Sequence, residues 1–312
     1  MKAELTSAIT RKALELGFVS VGIAEAGAFE KEAADLQDWL RHGYHGTMGW
    51  MERTAAKRSD ILKVDPDARS VIIAAMNYYS PEKHSDESDR AKISRYAWGD
   101  DYHEVVGERL DTLRDFIVTL APNTVARRYV DTGPVMEKVW AARAGIGWQG
   151  KHTNVISREY GSWIFLGTVI TNLRLRPSPP GEDLCGTCTA CLDACPTDAI
   201  VQPYQLDASR CISYLTIEHN GTIPDEFHGR FENWVFGCDI CQDVCPWNRF
   251  QKITGEPAFR PRPTALNPAI HELTEMSETE FAKRFEGSPV TRTKWSGLVR
   301  NAGALRRDES NR

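Results

Sequence analysis

The chain has 312 residues, 38 Lys and Arg against 43 Asp and Glu, and a formal net charge of −5. With 41% hydrophobic residues it can bury a sizeable core and build more than one domain, while its mild acidity excludes a wholesale basic coat for nucleic acid but leaves room for a local basic patch. No apolar run is long enough to cross a bilayer, and the charged N-terminal stretch lacks a signal-peptide core, so a cytoplasmic protein with no membrane association is expected.

In chain order, the N-terminal stretch reads as an amphipathic helix with Leu5, Ile9, Ala13 and Leu16 on one face. Residues 18–23 and 70–79 read as strands. The second is almost continuously apolar, as expected of a strand buried on both faces. Residues 102–120 have helical spacing, with Val105, Leu110, Leu113, Phe116 and Ile117 as the apolar stripe. A strand over 124–130 and a helix over 135–144 follow. Residues 154–157 and 162–171 read as a strand pair around the turn Glu159-Tyr160-Gly161. The run Pro177-Ser-Pro-Pro-Gly181 marks a linker. The expected layout is a domain over 1–180, a cysteine-rich domain over 181–250, and a tail over 251–312 with short helical pieces and a basic end.

All eight cysteines lie between Cys185 and Cys245. A secreted disulfide scaffold would scatter them, whereas this bunching has metal-type spacing. The first group is Cys185-x2-Cys188-x2-Cys191-x3-Cys195-Pro196; the second is Cys238-x2-Cys241-x3-Cys245-Pro246, with Cys211 between them. Thiolates are soft ligands that suit iron–sulfur clusters. In the bacterial ferredoxin pattern, three closely spaced cysteines grip one cubane and the fourth reaches the other. Applied here, one [4Fe–4S] cluster takes Cys185, Cys188, Cys191 and Cys245. The other takes Cys195, Cys211, Cys238 and Cys241. A pair of zinc sites is the competing reading, but the third close cysteine and the Cys-Pro ending suit zinc poorly.

Two tempting motifs fail on context. Gly145-Ile-Gly147-Trp-Gln-Gly150 matches a dinucleotide fingerprint, yet it follows a helix and precedes a strand, the reverse of what that fingerprint requires. It reads as a helix C-cap and turn. Asp101-Tyr-His103 invites comparison with a cobalt-ligating Asp-x-His-x-x-Gly motif, but Gly107 comes one residue too late. His103 reads as a surface or packing residue at a helix start.

The residues also carry a family resemblance. Arg58-Ser-Asp60, the run from Ser94 to His103, Val130-Asp-Thr-Gly-Pro134, Ala144-Gly-Ile-Gly-Trp148 with Gly150-Lys-His152, and Tyr160-Gly-Ser162 contribute to it. So do both cysteine groups, Arg210-Cys-Ile-Ser-Tyr-Leu215, Gly287-Ser-Pro-Val290 and Arg300-Asn301. Together they resemble the epoxyqueuosine reductases, cobalamin- and iron–sulfur-dependent enzymes acting on tRNA. Reductive dehalogenases are weaker cousins.

The resemblance implies a mixed α+β or α/β fold. A flavin-reductase-like cobalamin-binding α/β domain precedes a bacterial-ferredoxin-like two-cluster domain and a short helical tail. The chain reads as a short form without the helical HEAT-like repeats that many members carry after this region. The family's reaction removes an epoxide oxygen from a cyclopentane ring in the anticodon loop, using two electrons and protons and releasing water. The resemblance makes Asp131 the proton donor, and remaining protonated near neutral pH would require an apolar cobalamin face to raise its pKa. It places Arg58, Ser94, Asp131, Val155, Leu166, Ser213, Asp239 and Ile240 around cobalamin, with no His on cobalt. From the residues alone, Asp131 or Thr132 could instead cap the following helix. The implied partners are a tRNA with a queuosine-type anticodon and an external low-potential donor of the flavodoxin or ferredoxin class. The tail cations Lys283, Arg284, Arg292, Lys294, Arg300, Arg306 and Arg307, with Trp295, suit phosphates and bases. The competing functions are a cobalamin-dependent small-molecule reductase and an electron-carrier ferredoxin.

Overall fold

The computed structural model describes residues 2–309, with side chains through Leu305. Its main sheet has four strands: β1 (Ser20–Glu25), β2 (Ser70–Asn77), β3 (Ala126–Tyr129) and β4 (Ile164–Thr171). Their order is β1-β2-β4-β3, and every neighbouring pair is antiparallel. The expected α/β character therefore holds for the layering, while the sheet lacks the parallel pairing of doubly wound folds.

β2 is buried along its whole length, as its apolar run requires. Alternation along the strand sends Ile72, Ala74 and Met76 to one face and Val71, Ile73 and Ala75 to the other. The first set packs under helices Lys2–Glu15 and Tyr102–Thr119 through Ile9, Ala13, Leu110 and Leu113. The second packs against Phe29, Trp140 and Ala141, the latter two from helix Glu137–Arg143. A helix stripe on each side of a fully covered strand makes three layers.

Two elements differ from the sequence expectation. Val155–Ile156 pairs with Trp148–Gln149, not with β4; only an isolated bridge, Ser157 to Gly161, closes the turn. β4 is drawn instead between β2 and β3, where both faces are covered. Residues 30–59 also hold helices Glu30–Arg41, Gly49–Arg53 and Ala55–Ser59, which the sequence pattern did not indicate. Gly145 does end helix Glu137–Arg143, with φ +76. That left-handed backbone accounts for the glycine there without any nucleotide.

A further core joins residues distant in the chain. Ile93 and Trp98 meet Leu215, Trp234 and Phe236, and the tail adds Leu273, Phe285 and Leu298. The tail helices Ile270–Glu275 and Lys294–Glu309 thus pack into the body of the molecule. A small cluster of Trp148, Ile156 and Cys245, flanked by Cys185 and Trp247, ties the first cysteine loop to the N-terminal part. Among the described residues no helix is long and apolar enough to cross a membrane.

Candidate functional site

Two cavities divide the cysteines. A cavity of about 200 Å³ is lined by Cys185, Cys188, Cys191 and Cys245 together with Lys151, His152 and Trp247. A larger cleft of about 390 Å³ is lined by Cys195, Cys211, Cys238 and Cys241. Lys151 steadies the first loop by donating to the carbonyls of Gly186 and Cys188, at 2.7 and 2.9 Å. Donors also reach sulfur. The Trp148 indole lies 3.4 Å from Cys185 Sγ, and the Ala199 amide 3.3 Å from Cys195 Sγ.

Burial raises the Cys211, Cys238, Cys241 and Cys245 thiols above their ordinary range, and lifts Cys191 to about 11. Each also faces neighbouring cysteines. Crowded, buried thiolates need a cationic partner, and a bound iron–sulfur group would hold them deprotonated. The donor set and the N–H groups aimed at sulfur fit such a group, while among the described residues no three such side chains converge as a single metal ion would require.

The larger cleft has an aromatic floor. Tyr102 stacks on Phe165 with ring centroids 4.4 Å apart, and Tyr78 stacks on Phe165 at 4.3 Å. Tyr96 meets Tyr102 edge-on. Ile164 and Leu166 from β4 extend this apolar surface. Of the positions expected around cobalamin, Ser94, Asp131, Leu166, Ser213 and Ile240 line the cleft. Arg58, Val155 and Asp239 are not among its lining residues.

Arg58 donates to Thr54 Oγ1 and to the Val135 carbonyl. Val155 is buried in the core beside Trp140. Asp239, 1% exposed, accepts from Ser94 Oγ at 2.5 Å, from the Arg95 amide at 2.8 Å and from His84 at 3.3 Å. Its carboxylate therefore pins the Ser94 loop to the second cysteine loop. Gly237 makes that approach possible: its φ is +67, and a Cβ there would stand 2.5 Å from that of Ser94.

Asp131 sits just beyond β3 with φ +56, a left-handed conformation that Asp and Asn adopt more readily than other non-glycine residues. Its amide donates to Glu137 Oε1 at 2.7 Å. Helix Glu137–Arg143 starts from Met136 with no side-chain cap, so neither Asp131 nor Thr132 caps it. The Asp131 side chain is 64% exposed, open to the cleft. Tyr102 donates to its Oδ2 at 2.8 Å. His103 Nε2 stands 3.5 Å from the same oxygen, a distance of an ion pair more than of a close hydrogen bond. The other ring nitrogen, Nδ1, lies 2.7 Å from Asp101 Oδ1. Asp101 is itself fixed as the N-cap of helix Tyr102–Thr119.

These contacts set the ionisation of the group without cobalamin. Partial desolvation at the cleft wall pushes the Asp131 carboxyl up, but His103, Tyr102 and the Lys138 charge outweigh it and hold the group below its usual range. Burial opposes the charge on His103, yet Asp101 and Asp131 bring its pKa up to about 9. Burial beside the Asp131 charge lifts Glu137 to about 8, and Arg58 pulls partly against that. The contacts thus favour a charged His103 and an ionised Asp131, and they raise Glu137. His103, which sequence reasoning left as a packing residue or a cleft residue without a role, thus stands against Asp131. Its signal was the cap residue Asp101 two positions before it.

The tail cations divide by partner. Arg300 donates to the carbonyls of Leu215, His219 and Gly221, so it is an internal brace. Arg284 binds Glu272 and the Thr264 carbonyl. Arg292 forms a two-point pair with Glu218 at 3.0 and 3.1 Å and lies 5.9 Å from the ring of Trp50. The Trp295 indole is turned to the Met276 carbonyl, so Trp50 is the aromatic beside Arg292. Lys283 and Lys294 are exposed. The side chains of Arg306 and Arg307 lie outside the described residues.

Comparison with known proteins places this geometry in context. A family model described as epoxyqueuosine reductase QueG matches residues 58–132, and one described as a 4Fe-4S double cluster binding domain matches residues 184–248. An epoxyqueuosine reductase of Cellulophaga algicola is 46% identical over 305 residues, covering 98% of this chain and 99% of its own. A crystal structure of an epoxyqueuosine reductase with an epoxyqueuosine-modified tRNA-Tyr stem loop superposes with TM-score 0.90 at 34% identity, covering 97% of this chain and 80% of that one. The catabolic reductive dehalogenase NpRdhA, bound to 3-bromo-4-hydroxybenzoic acid, shares the fold at TM-score 0.50 and 15% identity, covering 81% of this chain and 33% of its own.

Proposed function

The chain belongs to the epoxyqueuosine reductase family, and from that premise we propose that it reduces epoxyqueuosine to queuosine in the anticodon loop of a tRNA. Carrying this reading is the meeting in one cleft of Asp131 with Cys195, Cys211, Cys238 and Cys241. An acid and a thiol set suited to electron delivery open onto the same space.

The cysteines would hold two [4Fe–4S] clusters in the sets Cys185, Cys188, Cys191, Cys245 and Cys195, Cys211, Cys238, Cys241, which pass electrons one at a time from an external donor of the flavodoxin or ferredoxin class. Cobalamin would lie over the floor of Tyr96, Phe165 and Leu166, with Ser94, Ser213 and Ile240 at its edge. When bound, it supplies low-valent cobalt for reductive cleavage of the substrate carbon–oxygen bond.

This chain's own residues handle the oxygen. An epoxide oxygen is a poor leaving group unless a proton reaches it as the bond breaks. Asp131 faces the cleft to deliver that proton. Tyr102 orients its carboxylate, and Glu137 fixes the backbone that presents it. Splayed single-stranded bases suit such a pocket, because a loop nucleotide can enter where a duplex base cannot.

Anaerobic reconstitution with iron and sulfide, followed by titration with cobalamin, tests the reading. The account expects about eight irons per chain by two-cubane arithmetic and a saturable change in the corrin spectrum. Stoichiometric zinc without iron, or an unchanged corrin spectrum, contradicts it.

A further inference from the structure

We propose that His103 is the proton-supplying residue behind Asp131, reloading that carboxylate each time its proton passes to the substrate oxygen. The inference rests on the reductase reading of the cleft.

Geometry carries it. The imidazole lies between two carboxylates, Nδ1 at 2.7 Å from Asp101 Oδ1 and Nε2 at 3.5 Å from Asp131 Oδ2. Nε2 is buried and makes no hydrogen bond, so the Asp131 carboxylate is met as an ion pair. A neutral ring would leave one nitrogen lone pair facing a carboxylate, so the arrangement selects the imidazolium. Asp101 cannot drift away, because its cap bond to the His103 amide holds it at 3.0 Å. The ring is also packed on Tyr102, with centroids 4.1 Å apart. With its side chain 30% exposed, His103 can exchange protons with solvent.

Proton accounting gives this arrangement a task. Deoxygenating an epoxide to an alkene takes two electrons and two protons and releases water. The electrons come from the external one-electron reductant by way of the iron–sulfur groups. The imidazolium beside it holds Asp131 as a carboxylate, and the same imidazolium is the cationic proton source nearest to Oδ2. The first proton passes from His103 Nε2 to Asp131 Oδ2, and from Asp131 to the oxygen as the carbon–oxygen bond breaks. Nε2 is covered in the resting position, so solvent restores the imidazolium when the partly exposed ring turns that nitrogen outward, and a second proton then follows the same route, so that the hydroxyl leaves as water. Nδ1 keeps its proton on Asp101 throughout.

The other charged or titratable groups around this line are few. Tyr102 donates to Asp131, and Tyr96 lies beyond it. Lys138, Glu137 and Arg58 act on Asp131 from the following helix and the wall behind it. Arg292 senses Asp131 and Tyr102 from the tail.

His103→Gln in the full, cofactor-loaded enzyme keeps a polar contact to Asp101 but cannot carry the proton. Its turnover at neutral pH should fall roughly 10- to 100-fold with RNA affinity unchanged, and added imidazole should restore part of it. The wild-type profile should lose activity as pH rises through about 9, and the variant should lack that limb. A readout independent of turnover is nuclear magnetic resonance of histidine-labelled, cofactor-free protein. His103 should titrate near 9 in the wild type and well below that in Asp101→Asn, which preserves the cap. A His103 that is neutral at pH 7, or a His103→Gln enzyme with wild-type turnover and pH profile, would overturn the proposal. A wild-type enzyme that performs no deoxygenation contradicts the reductase reading itself, while the His103 titration still tests the geometry separately.

Discussion

Tyr102 and Asp131 stand 29 residues apart in the chain, and the Tyr102 hydroxyl donates to Asp131 Oδ2 at 2.8 Å. The bond joins the first turn of helix Tyr102–Thr119 to the loop after β3, so the orientation of the proposed acid depends on the packing of that helix against the sheet. Removing the acid function should therefore cost more than removing its orienting donor. Asp131→Asn should lower turnover by about 10²-fold or more, the usual worth of a general acid, with iron content and cobalamin binding unchanged. Tyr102→Phe, which loses one hydrogen bond to a charged group, should cost about 10-fold. Steady-state rates on a modified anticodon stem-loop check both; a Tyr102→Phe defect exceeding that of Asp131→Asn would contradict the assignment.

Cys211 lies outside both close-spaced groups and lines the larger cleft with Cys195, Cys238 and Cys241. Cys211→Ala should remove about half of the iron by the two-cubane arrangement and leave the set around Cys185 intact. Iron analysis with electron paramagnetic resonance of the reduced protein reads this directly. Complete loss of iron with retained fold would mean that the two sets do not load independently.

Much of this was legible in the sequence because it depends on local spacing. The cysteine intervals divide the eight thiols into the same two sets that the cavities collect. The apolar run of β2 follows from its composition, and periodicity finds Leu110, Leu113 and Ile117 of helix Tyr102–Thr119, while Val106 rather than Val105 is its fully buried valine. What was not legible depends on pairing across distance. Residues 154–157 and 162–171 look like a hairpin, yet Val155–Ile156 turns back to Trp148–Gln149 because β4 is taken up between β2 and β3. Helix Glu30–Arg41 buries only Leu36, too little to mark an apolar face. The ionisation of Asp131 is likewise a property of His103 and Tyr102, which no local pattern connects to it.

Glu137 gives a pH signature in stability. Its ordinary value is 4.5, and burial beside Asp131 raises it to about 8. An acid held above its unfolded value contributes stability that is full below the unfolded value and is lost as pH rises through the folded one. The wild-type chain should therefore lose stability between about pH 4.5 and pH 8 relative to Glu137→Gln, whose amide cannot ionise but can still accept from the Asp131 amide. Urea unfolding of the two cofactor-free proteins across that window checks it. Parallel pH curves would show that Glu137 is not held protonated.

Arg292 is paired with Glu218 in the free protein, so RNA phosphate must displace that carboxylate. Neutralising Arg292 and Lys294 together should weaken stem-loop binding and flatten its salt dependence, by about 0.7 in the logarithmic slope per lost single-strand contact. Glu218→Gln should do the opposite and tighten binding, because it releases Arg292. Affinities measured over a salt series distinguish the two. An unchanged slope in the double variant would locate the RNA contact away from this face.

Removal of an oxygen from epoxyqueuosine in this cleft can be read directly. The most direct test incubates the anaerobic protein, loaded with iron–sulfur clusters and cobalamin, with a low-potential reductant and an epoxyqueuosine-modified anticodon stem-loop, and then weighs the RNA by mass spectrometry. The modified nucleoside should lose the mass of one oxygen atom, in a reaction that Asp131→Asn suppresses. An unchanged nucleoside mass, from protein with full iron content and bound cobalamin, would contradict it.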